Sequence, residues 1–402
     1  MSTVNAMTDL TIKGIKMESG KTERGKMDLG LFIAVLVLLG FGIILVYSSS
    51  FAVAQRNFGG ADYFLSRQAV RAVLAFAAFM VFINVDYRFW SRWSGVIYIA
   101  AIMLLISVLF LPDDHAVKGA KRWMTLFGVR FQVSDFARMA LILMLAKKCG
   151  EPGADFGNWR SLIPHYLRIG IICGLVLLEP DYSTTMILLA IAFSMLYMAG
   201  AKKTHILATV ASVIPVGIIL VLIAPYRMNR IAGFLSVGEQ SGRHGYQAFQ
   251  SLVGLGRGGL FGTGLGKGEQ KYFYLPEPHT DFILSILGEE FGFVGLMAVF
   301  MIFAFIVYKG FKISLNAPDR TGQVMAFGFT MVIAVYTLIH SAVATNLAPT
   351  TGIPLPFLSY GGVSLVFTMS SMGILLNISS QIKPENTRRI PEANRKKRKV
   401  RA

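Results

Sequence analysis

The chain has 402 residues, of which 54% are hydrophobic and only 15% are charged, and this composition excludes an ordinary soluble domain. A formal net charge of +17 suits a membrane protein with cytoplasmic basic anchors or with sites for anionic lipid head groups. The two cysteines, Cys149 and Cys173, lack the paired spacings of a zinc or redox site, so no disulfide framework is expected.

Ten apolar runs are long enough, or nearly long enough, to cross about 30 Å of hydrocarbon. They lie at 29–47, 69–85, 95–111, 136–146, 162–178, 183–200, 206–224, 291–308, 323–343 and 357–378. The fourth run is short unless Ser134 and Asp135 begin its helix as N-cap and first-turn acid. The sequence therefore predicts an all-α polytopic membrane protein with about ten transmembrane helices.

The two ends of the chain are basic. The N-terminal tail, 1–28, has no apolar core, so a cleaved signal peptide is not expected. The C-terminal tail, 379–402, ends in a run of Lys and Arg, and a disordered topogenic tail near anionic lipid is favoured over a partner-binding role. Lys and Arg predominate on the side that holds both tails, which predicts that both are cytoplasmic and that 29–378 is the membrane domain.

The positive charges predicted to lie outside form two clusters. One is the motif Lys118-Gly-Ala-Lys121-Arg122-Trp123, in which Trp123 is either an interfacial aromatic or a stacking surface for a sugar. The other is a large extracytoplasmic loop, 226–280, between helices 7 and 8, and a loop of this length is either a linker or a binding element. Its aromatic and basic content favours binding, with candidate contacts at Arg227, Arg230, Arg257 and Lys267.

Glycine-rich runs at 254–259 and 262–268 suggest a phosphate-binding loop, but such a loop needs Ser or Thr after its Lys, and Gly268 follows Lys267. Nucleotide binding is therefore not expected. Two interpretations stay open: a flexible backbone that brings Arg257 and Lys267 close to a diphosphate, and plain turn chemistry.

A dense polar cluster, Leu275-Pro-Glu-Pro-His-Thr-Asp-Phe282, lies where this loop enters a hydrophobic helix. Polar groups at membrane depth are costly enough to indicate function, so Asp281 is the candidate catalytic residue, although a helix cap is the alternative. Its neighbours Glu277, His279 and Thr280 are candidate substrate contacts.

The acidic residues near Asp281 raise the question of a metal. Together with Glu289 and Glu290, the cluster matches no dedicated zinc spacing, but its carboxylates are compatible with Mg²⁺ or Mn²⁺ shared with a substrate diphosphate. The alternative for Glu289 and Glu290 is hydrogen bonding inside the helix bundle.

Other polar residues have structural interpretations. Glu179 and Asp181 flank Pro180 at an outer turn and are either paired acids or a helix cap. Asp135 and Arg138 are three residues apart, which predicts an ion pair on one helical face. The prolines after 348 interrupt any helix there, and the backbone around Ser359 is expected to line a cavity.

With these motifs in place, the chain resembles the SEDS family (shape, elongation, division and sporulation) of peptidoglycan glycosyltransferases over 29–378. The resemblance rests on the motifs already given, together with Gly288-Glu-Glu-Phe-Gly292 and Gly352-Ile-Pro-Leu-Pro-Phe-Leu-Ser-Tyr-Gly-Gly362. The run before Tyr274 is more similar to the division-type branch of the family than to the elongation-type branch.

The resemblance implies polymerisation of lipid II on the outer face of the bacterial cytoplasmic (inner) membrane, with inversion of configuration and release of undecaprenyl diphosphate. It implies that Asp281 matches the family's essential outer-loop aspartate and Trp123 a functionally important tryptophan. It also implies a class B penicillin-binding protein and other divisome proteins as partners, no organic cofactor and no nucleic acid.

Some positions depart from the family pattern. Asp135 and Arg138 stand where Glu and Lys are usual, and Arg and Lys are not equivalent at a tight site. Val133 replaces a proline, His340 replaces an asparagine, and Thr351 replaces a lysine, which leaves no lysine there for a diphosphate contact.

Apart from the family, the residues fit such a displacement reaction, which needs a general base, cations for the leaving diphosphate and a lipid-accessible groove. Asp281 supplies the base, and the cations are Lys118, Lys121, Arg122, Arg227, Arg230 and Arg257. The alternatives are a flippase for the lipid-linked precursor and a non-catalytic scaffold. A flippase predicts charges along a transmembrane path, but the charges inside the apolar runs are sparse, which favours the enzyme.

Overall fold

The computed structural model describes residues 25–111, 122–126, 129–238 and 242–382. Within these ranges the chain forms twelve α-helices and one β-hairpin. The helices before the large loop are α1 (Leu29–Phe58), α2 (Tyr63–Asn84), α3 (Tyr87–Leu109), α4 (Val133–Cys149), α5 (Trp159–Leu178), α6 (Tyr182–Met198) and α7 (Lys203–Ile223). Then follow α8 (Pro225–Leu235), α9 (Arg243–Arg257), α10 (Ile283–Asn316), α11 (Arg320–Ala344) and α12 (Ser364–Ser380).

The predicted helical architecture is confirmed. Each of the ten predicted apolar runs falls on one of the helices α1–α7 and α10–α12, and in the described part of the chain seven of these helices are long and apolar enough to cross a membrane. The helices α4, α6 and α12 have 17 residues each and fall below that length, so ten crossings remain a prediction. Both tails beyond residues 25–382 lie outside the described residues.

A short antiparallel hairpin precedes α4 and was not predicted from the sequence. Its strands are β1 (Trp123–Leu126) and β2 (Val129–Gln132), and Trp123 is opposite Gln132. Because β2 runs directly into α4, the N-cap of α4 is Gln132 and Ser134 lies inside the first turn. The predicted capping role of Ser134 is therefore wrong, whereas Asp135 is in the first turn as predicted.

The helix α4 forms the centre of the bundle. It packs against α3 and α11, and most of its side chains are buried. In contrast, α7 lies at the edge, since Gly217 is its one buried residue. The two cysteines, Cys149 and Cys173, are free and buried in this bundle.

The predicted large loop contains two helices, α8 and α9. After α9, the chain from Gly258 to Phe282 makes a series of turns and then enters α10. The backbone of α10 is broken at Gly292, where φ is 66° and ψ is −167°.

The loop before α10 fills this break. Thr263 N and Gly264 N donate to the carbonyl oxygens of Glu289 and Glu290 at 2.9 and 3.0 Å. On the other side, Phe293 N donates to Gly259 O at 2.9 Å. The backbone groups that the break exposes are thus satisfied by the loop, as buried backbone groups must be. The glycine-rich run therefore fills the break in α10. Neither of the two interpretations drawn from the sequence, a diphosphate contact or plain turns, predicted this position.

Candidate active site

Asp281 is the last residue of a tight turn that begins at Glu277. Glu277 has a φ of 57°, and its carbonyl oxygen accepts from Thr280 N and from Asp281 N, both at 3.3 Å. The Thr280 hydroxyl also donates to the Glu277 carboxylate at 3.3 Å. The turn fixes the backbone of Asp281, whose side chain is partly buried.

A second loop, 345–363, holds this turn from the other side. Ser359 Oγ donates to Thr280 O at 2.7 Å and accepts from Leu355 N at 2.8 Å, while Tyr360 N donates to His279 O at 2.8 Å. The Asp281 carboxylate faces the same loop, because a β-carbon at Gly352 would lie 3.7 Å from Asp281 Oδ2. Ser359 therefore supports the backbone next to the candidate base.

A third polar group lies at the turn between the C-terminal end of α5 and the N-terminal end of α6. Arg122 donates from Nε to Glu179 O at 3.1 Å, and its Nη1 lies 3.7 Å from Asp181 Oδ2. Asp181 also accepts from Gln132 Nε2 at 2.9 Å and caps α6 through Thr184 N at 3.2 Å. The hairpin and the α5–α6 turn are joined through this guanidinium, and Asp181 has the predicted helix-cap contact.

Arg230 on α8 lies between these groups. Its Nη1 donates to Thr350 O at 3.2 Å, next to Thr351. Burial lowers the pKa of Arg230, while the negative charges of Asp281 and Asp181 act to raise it. Arg230 therefore contacts the loop that the Asp281 carboxylate faces, although the two residues are far apart in the sequence. This contact also places a cation beside Thr351, the position where the family has a lysine.

Arg227, one turn earlier on α8, contacts residues of α7 and α6. Its Nη1 donates to Leu220 O at 2.5 Å and its Nε to the Tyr226 hydroxyl at 3.1 Å. The guanidinium also lies 5.3 Å from the ring centre of Tyr182. These contacts tie α8 to α7 and α6.

A buried polar layer lies beneath the turn of Asp281. Arg138 Nη1 is 3.0 Å from Asp135 Oδ1 and hydrogen-bonds the Tyr336 hydroxyl. Arg138, Tyr336 and Ser359 border a cavity of about 10 Å³, which is room for one water molecule. The ion pair expected from the spacing is present, and Ser359 lines a cavity wall.

Glu289 and Glu290 face the loop that fills the break in α10. Glu289 Oε1 accepts from Glu269 N at 2.8 Å, and Glu290 Oε1 lies 2.6 Å from Lys271 Nζ. Arg257 pairs with Glu269 at 2.6 Å, and both side chains are exposed. Lys267 is exposed on the same loop. Glu289, Glu290 and Arg257 therefore all have partners within the loop at the break. A diphosphate contact of Arg257 or Lys267 remains a prediction.

The other predicted contacts fall in three places: the turn of Asp281, the hairpin, and the part of the chain that the structure does not describe. His279 is buried and packs against the rings of Phe64 and Tyr360, at 4.6 and 5.6 Å between centres. Trp123 is partly buried at the start of β1. Lys118 and Lys121 fall within 112–121, which the structure does not describe.

An apolar groove of about 570 Å³ lies between α6, α7 and α8. Phe193 and Val210 line its walls, and Tyr182, Met228 and Ile231 line the part formed with α8. Several α7 side chains, such as Ile218 and Leu222, are more than half exposed, as expected of a helix that faces lipid. The groove can therefore accept a hydrocarbon chain from the membrane.

Sequence reasoning missed several residues of the site. Gln132, Tyr226 and Tyr336 each hydrogen-bond a predicted site residue, and Lys271 pairs with Glu290. Only Lys271 carried a local signal, because it lies beside the polar cluster. Gln132 and Tyr336 are identified by contacts between distant parts of the chain, and so is Tyr226 through its hydroxyl, which also donates to Pro180 O.

Nothing in the described ranges forms a group of three or more His, Cys, Asp or Glu side chains placed to hold a metal ion. Glu290 is paired with Lys271, and Glu289 accepts backbone N–H groups, so these two carboxylates are already engaged. A divalent cation held together with a substrate diphosphate remains a prediction.

Comparison with known proteins identifies the family of this chain. The family model described as "Cell cycle protein", which covers FtsW, RodA and SpoVE, matches residues 29–384. A protein from Geobacter sp. (strain M18), named probable peptidoglycan glycosyltransferase FtsW, is 37% identical over 357 residues, which cover 89% of this chain and 97% of the relative. Stage V sporulation protein E of Bacillus subtilis (strain 168) is 37% identical over 362 residues, which cover 89% and 98% of the two chains.

Solved structures share the fold. One chain of a structure described as "Structural coordination of polymerization and crosslinking by a peptidoglycan synthase complex" superposes with a TM-score of 0.72 at 23% identity, covering 89% of this chain and 99% of that chain. The crystal structure of the rod shape determining protein RodA of Thermus thermophilus gives a TM-score of 0.66 at 24% identity, covering 89% and 98% of the chains. The seven long apolar helices and these matches show a multi-pass membrane protein. The chain belongs to the FtsW, RodA and SpoVE family of cell cycle proteins.

Proposed function

We propose that this chain is a peptidoglycan glycosyltransferase that polymerises lipid II into glycan strands during cell division. Family membership and the printed name of the Geobacter relative support this activity. The structural observation that carries it is the position of α8. Arg230 on this helix donates to Thr350 O in the loop that Asp281 faces, while Met228 and Ile231 on the same helix line the apolar groove. One helix thus joins a lipid-sized groove to a cationic site that holds a carboxylate.

In the proposed reaction, the 4-hydroxyl oxygen of the acceptor sugar attacks the anomeric carbon of the lipid-linked donor. Asp281 accepts the hydroxyl proton as the new carbon–oxygen bond forms, and general-base catalysis of this kind contributes about 10²–10⁴-fold. The bond from the anomeric carbon to the diphosphate breaks, and undecaprenyl diphosphate leaves with the electron pair. Attack from the face opposite the leaving group inverts the anomeric centre.

The leaving diphosphate needs cations, since negative charge builds up on it as the bond breaks. Arg122 and Arg230 are proposed to supply this charge, because Arg122 lies 3.7 Å from Asp181 and Arg230 donates to the loop that Asp281 faces. Guanidinium groups bind phosphate oxygens in pairs. The remaining predicted contacts are Lys118, Lys121, Arg227, Arg257 and Lys267. A Mg²⁺ or Mn²⁺ ion bound with the substrate would add to the same stabilisation.

The lipid tail of the donor is proposed to lie in the groove between α6, α7 and α8. The groove has a volume of about 570 Å³ and is lined almost entirely by apolar side chains. The weak burial of α7 leaves the groove next to lipid, so a chain can enter from the bilayer without crossing water. His279 and Thr280 are proposed to contact the sugars, because they lie in the same turn as Asp281.

The site is proposed to face the outside of the bacterial inner membrane, with both termini in the cytoplasm. The excess of Lys and Arg in the tails and in the connections on their side supports this orientation. A class B penicillin-binding protein and further divisome proteins are the proposed partners. The fold shared with a chain of a peptidoglycan synthase complex supports a partner that crosslinks the strands.

The central test is Asp281→Asn in the purified full-length protein, assayed with labelled lipid II in the presence and absence of a co-purified class B penicillin-binding protein. Asn keeps the shape and polarity of Asp but accepts a proton poorly, so we expect a loss of glycan polymerisation of about 10²–10⁴-fold. Lipid II binding should persist, because Arg122 and Arg230 are unchanged.

Asp62→Asn is the matched control, since Asp62 is an exposed carboxylate at the start of α2 whose side chain makes no capping hydrogen bond. We expect this variant to polymerise normally. The N-cap of α10 is Phe282, so the alternative in which Asp281 caps this helix is wrong. Near-normal polymerisation by Asp281→Asn would show that Asp281 is not the general base and would favour a flippase or a scaffold.

A further inference from the structure

A buried ion pair joins the loop that leads to Asp281 to α10. Lys271 Nζ is 2.6 Å from Glu290 Oε1, and the two side chains are 2% and 0% exposed. Ser48 Oγ donates to Glu290 Oε1 at 2.6 Å and to Oε2 at 2.8 Å, and accepts from Lys271 Nζ at 3.1 Å. The cluster of Lys271, Glu290 and Ser48 is therefore closed on itself, with both charges compensated.

Stability alone is a weak explanation for such a cluster. Removing two charges from water costs several kcal/mol per ion, and replacing a buried ion pair by packed apolar residues is often neutral or stabilising. A buried ion pair differs from apolar packing in its geometry, since the charges are satisfied only when donor and acceptor meet at one distance and direction. Such a cluster is therefore expected where one segment of the chain must be held at a fixed distance and direction from another.

The three residues come from three different segments. Ser48 lies on α1, Glu290 precedes the break in α10, and Lys271 lies in the loop that fills this break. The residue before Lys271 is held as well, because Gln270 N donates to Glu289 Oε2 at 3.1 Å. The ion pair thus fixes the end of the loop against both α1 and α10.

The chain that follows Lys271 leads directly to the candidate base. Tyr272, Phe273 and Tyr274 are about half exposed, and Leu275 and Phe282 are buried in one small apolar cluster. Asp281 therefore lies on a segment that is held at Lys271 by the ion pair, at Leu275 and Phe282 by apolar packing, and at the turn by Ser359 and Tyr360. The ion pair sets where this segment starts relative to α1 and α10.

We propose that Lys271, Glu290 and Ser48 form a positioning device that sets the place of Asp281 relative to α1 and α10. The three residues do not touch the reacting atoms. They act through the backbone of the segment 272–281. This inference rests on the proposed function, in which Asp281 is the general base.

The test compares Lys271→Met, Glu290→Gln and the double variant Lys271→Met/Glu290→Leu as purified full-length proteins. Each single variant leaves one charge buried without its partner and should lower both thermal stability and polymerisation. The double variant has no buried charge and should regain most of its thermal stability. Its kcat with lipid II should still be reduced by about 10- to 100-fold, since a 1 Å misplacement of a catalytic group can cost about 10²-fold, while KM changes by less than about threefold.

The pair Lys309 and Asp28 supplies a matched control. It joins the same two helices, α10 and α1, through an ion pair of 2.8 Å at their other ends. The variant Lys309→Met/Asp28→Asn removes this pair but keeps a capping residue at the start of α1. It should keep its kcat within about threefold of the unmodified protein, since its pair lies at the ends of these helices far from Asp281.

Three results would overturn the inference: a double variant that regains its rate together with its stability, a control variant that loses rate equally, or a Ser48→Ala variant with an unchanged rate. Ser48→Ala keeps the ion pair and should fold, and we expect its kcat to fall by about 3- to 10-fold because the hydroxyl's hydrogen bonds with Glu290 and Lys271 are lost. Asp281→Asn is measured in parallel. If Asp281→Asn is inactive while the cluster variants are fully active, only the positioning inference fails. If Asp281→Asn is active, the proposed function fails.

Discussion

At the scale of single residues, Glu179 differs from the sequence-based prediction, in which it was one of two paired acids or a helix cap. Its side chain is fully buried, and neither carboxyl oxygen has a hydrogen-bond partner among the residues the structure describes. Burial raises the pKa of Glu179 from 4.5 to about 9, the charge of Asp181 acts in the same direction, and Arg122 opposes it. The carboxyl group is therefore protonated at neutral pH.

This protonation makes stability depend on pH. The unfolded chain ionises Glu179 near pH 4.5 and the folded chain near pH 9, so its contribution to stability is complete below pH 4.5 and decreases as the pH rises to 9. Glu179→Gln replaces it by a neutral group of the same shape. We expect a midpoint of thermal unfolding at pH 8 that is higher than that of the unmodified protein by on the order of a few degrees, and no difference at pH 4.5.

Thermal unfolding of the detergent-solubilised protein between pH 4.5 and 9 measures this effect. Glu151→Gln is the control, because Glu151 is exposed and pairs with Lys148 at the surface, where an ion pair is worth little. Parallel pH profiles for Glu179→Gln and the unmodified protein would show that Glu179 is ionised in the folded state.

Substitutions of Trp123 distinguish the two roles that the sequence left open, a stacking surface for a sugar and an interfacial aromatic. If its ring stacks on a substrate sugar, Trp123→Ala should lower the polymerisation rate by up to about tenfold, and Trp123→Phe should keep more activity because an aromatic face remains. Polymerisation of lipid II is measured alongside the amount of protein in the membrane. Trp93→Ala is the control, since Trp93 is 49% exposed on α3 as a belt residue would be. Equal rates for all variants would leave only the interfacial role.

At the scale of elements, the break in α10 explains the glycine-rich run. Gly262 has a φ of 79°, and a β-carbon there would lie 2.2 Å from Glu290 O. Gly266 has the same φ of 79°, but a β-carbon there would meet no other atom within 4 Å. Both positions favour glycine for conformation, and only Gly262 also requires it for the close approach of two backbones.

This difference predicts unequal effects of alanine. Gly266→Ala should cost about 1–2 kcal/mol from the left-handed backbone alone and keep most of the activity. Gly262→Ala adds a clash with Glu290 O, so we expect a larger loss of thermal stability and a loss of polymerisation of at least about tenfold as the loop leaves the break. Thermal unfolding and the lipid II assay on both proteins provide the comparison. Similar losses in the two variants would mean that the loop does not need this close approach.

At the scale of the whole molecule, the order of the helices decides on which side of the membrane the candidate site lies relative to the N-terminus. With α1–α7 alternating in direction across the membrane, Arg230 on α8 and Asp281 before α10 are predicted to lie at the end of the bundle opposite to Asp28, which caps the start of α1. With a cytoplasmic N-terminus, the site is outside, where lipid II is polymerised.

Cysteine labelling checks this orientation. The native Cys149 and Cys173 are buried and can be replaced by Ala, and single cysteines are then placed at Ser236 after α8 and at Ala154 between α4 and α5, both exposed. In intact cells, an impermeant thiol reagent should label Ser236→Cys and should leave Ala154→Cys unlabelled until the cells are opened. The reverse pattern would place the active site in the cytoplasm and contradict the proposed reaction.

The sequence by itself determined the helices, the family and the candidate base. Apolar runs are local features, and a backbone in lipid must satisfy its hydrogen bonds within helices, so the runs alone locate α1–α7 and α10–α12. Asp281 was identified for a similar reason, because a polar cluster beside an apolar run is visible without knowledge of the fold. The short hairpin and the start of α4 were missed because strand pairing is not a local property.

Only the tertiary structure decided which polar residues meet. Arg230 on α8 meets Thr350 in the loop that Asp281 faces, and Arg122 meets Asp181, although these residues come from separate segments of the chain. The burial of Glu179, the pairing of Lys271 with Glu290 and the loop in the break of α10 likewise depend on chain segments that are distant in sequence. Residue spacing predicts which face of one helix a side chain takes, whereas desolvation and ion pairing depend on what the other helices place against that face.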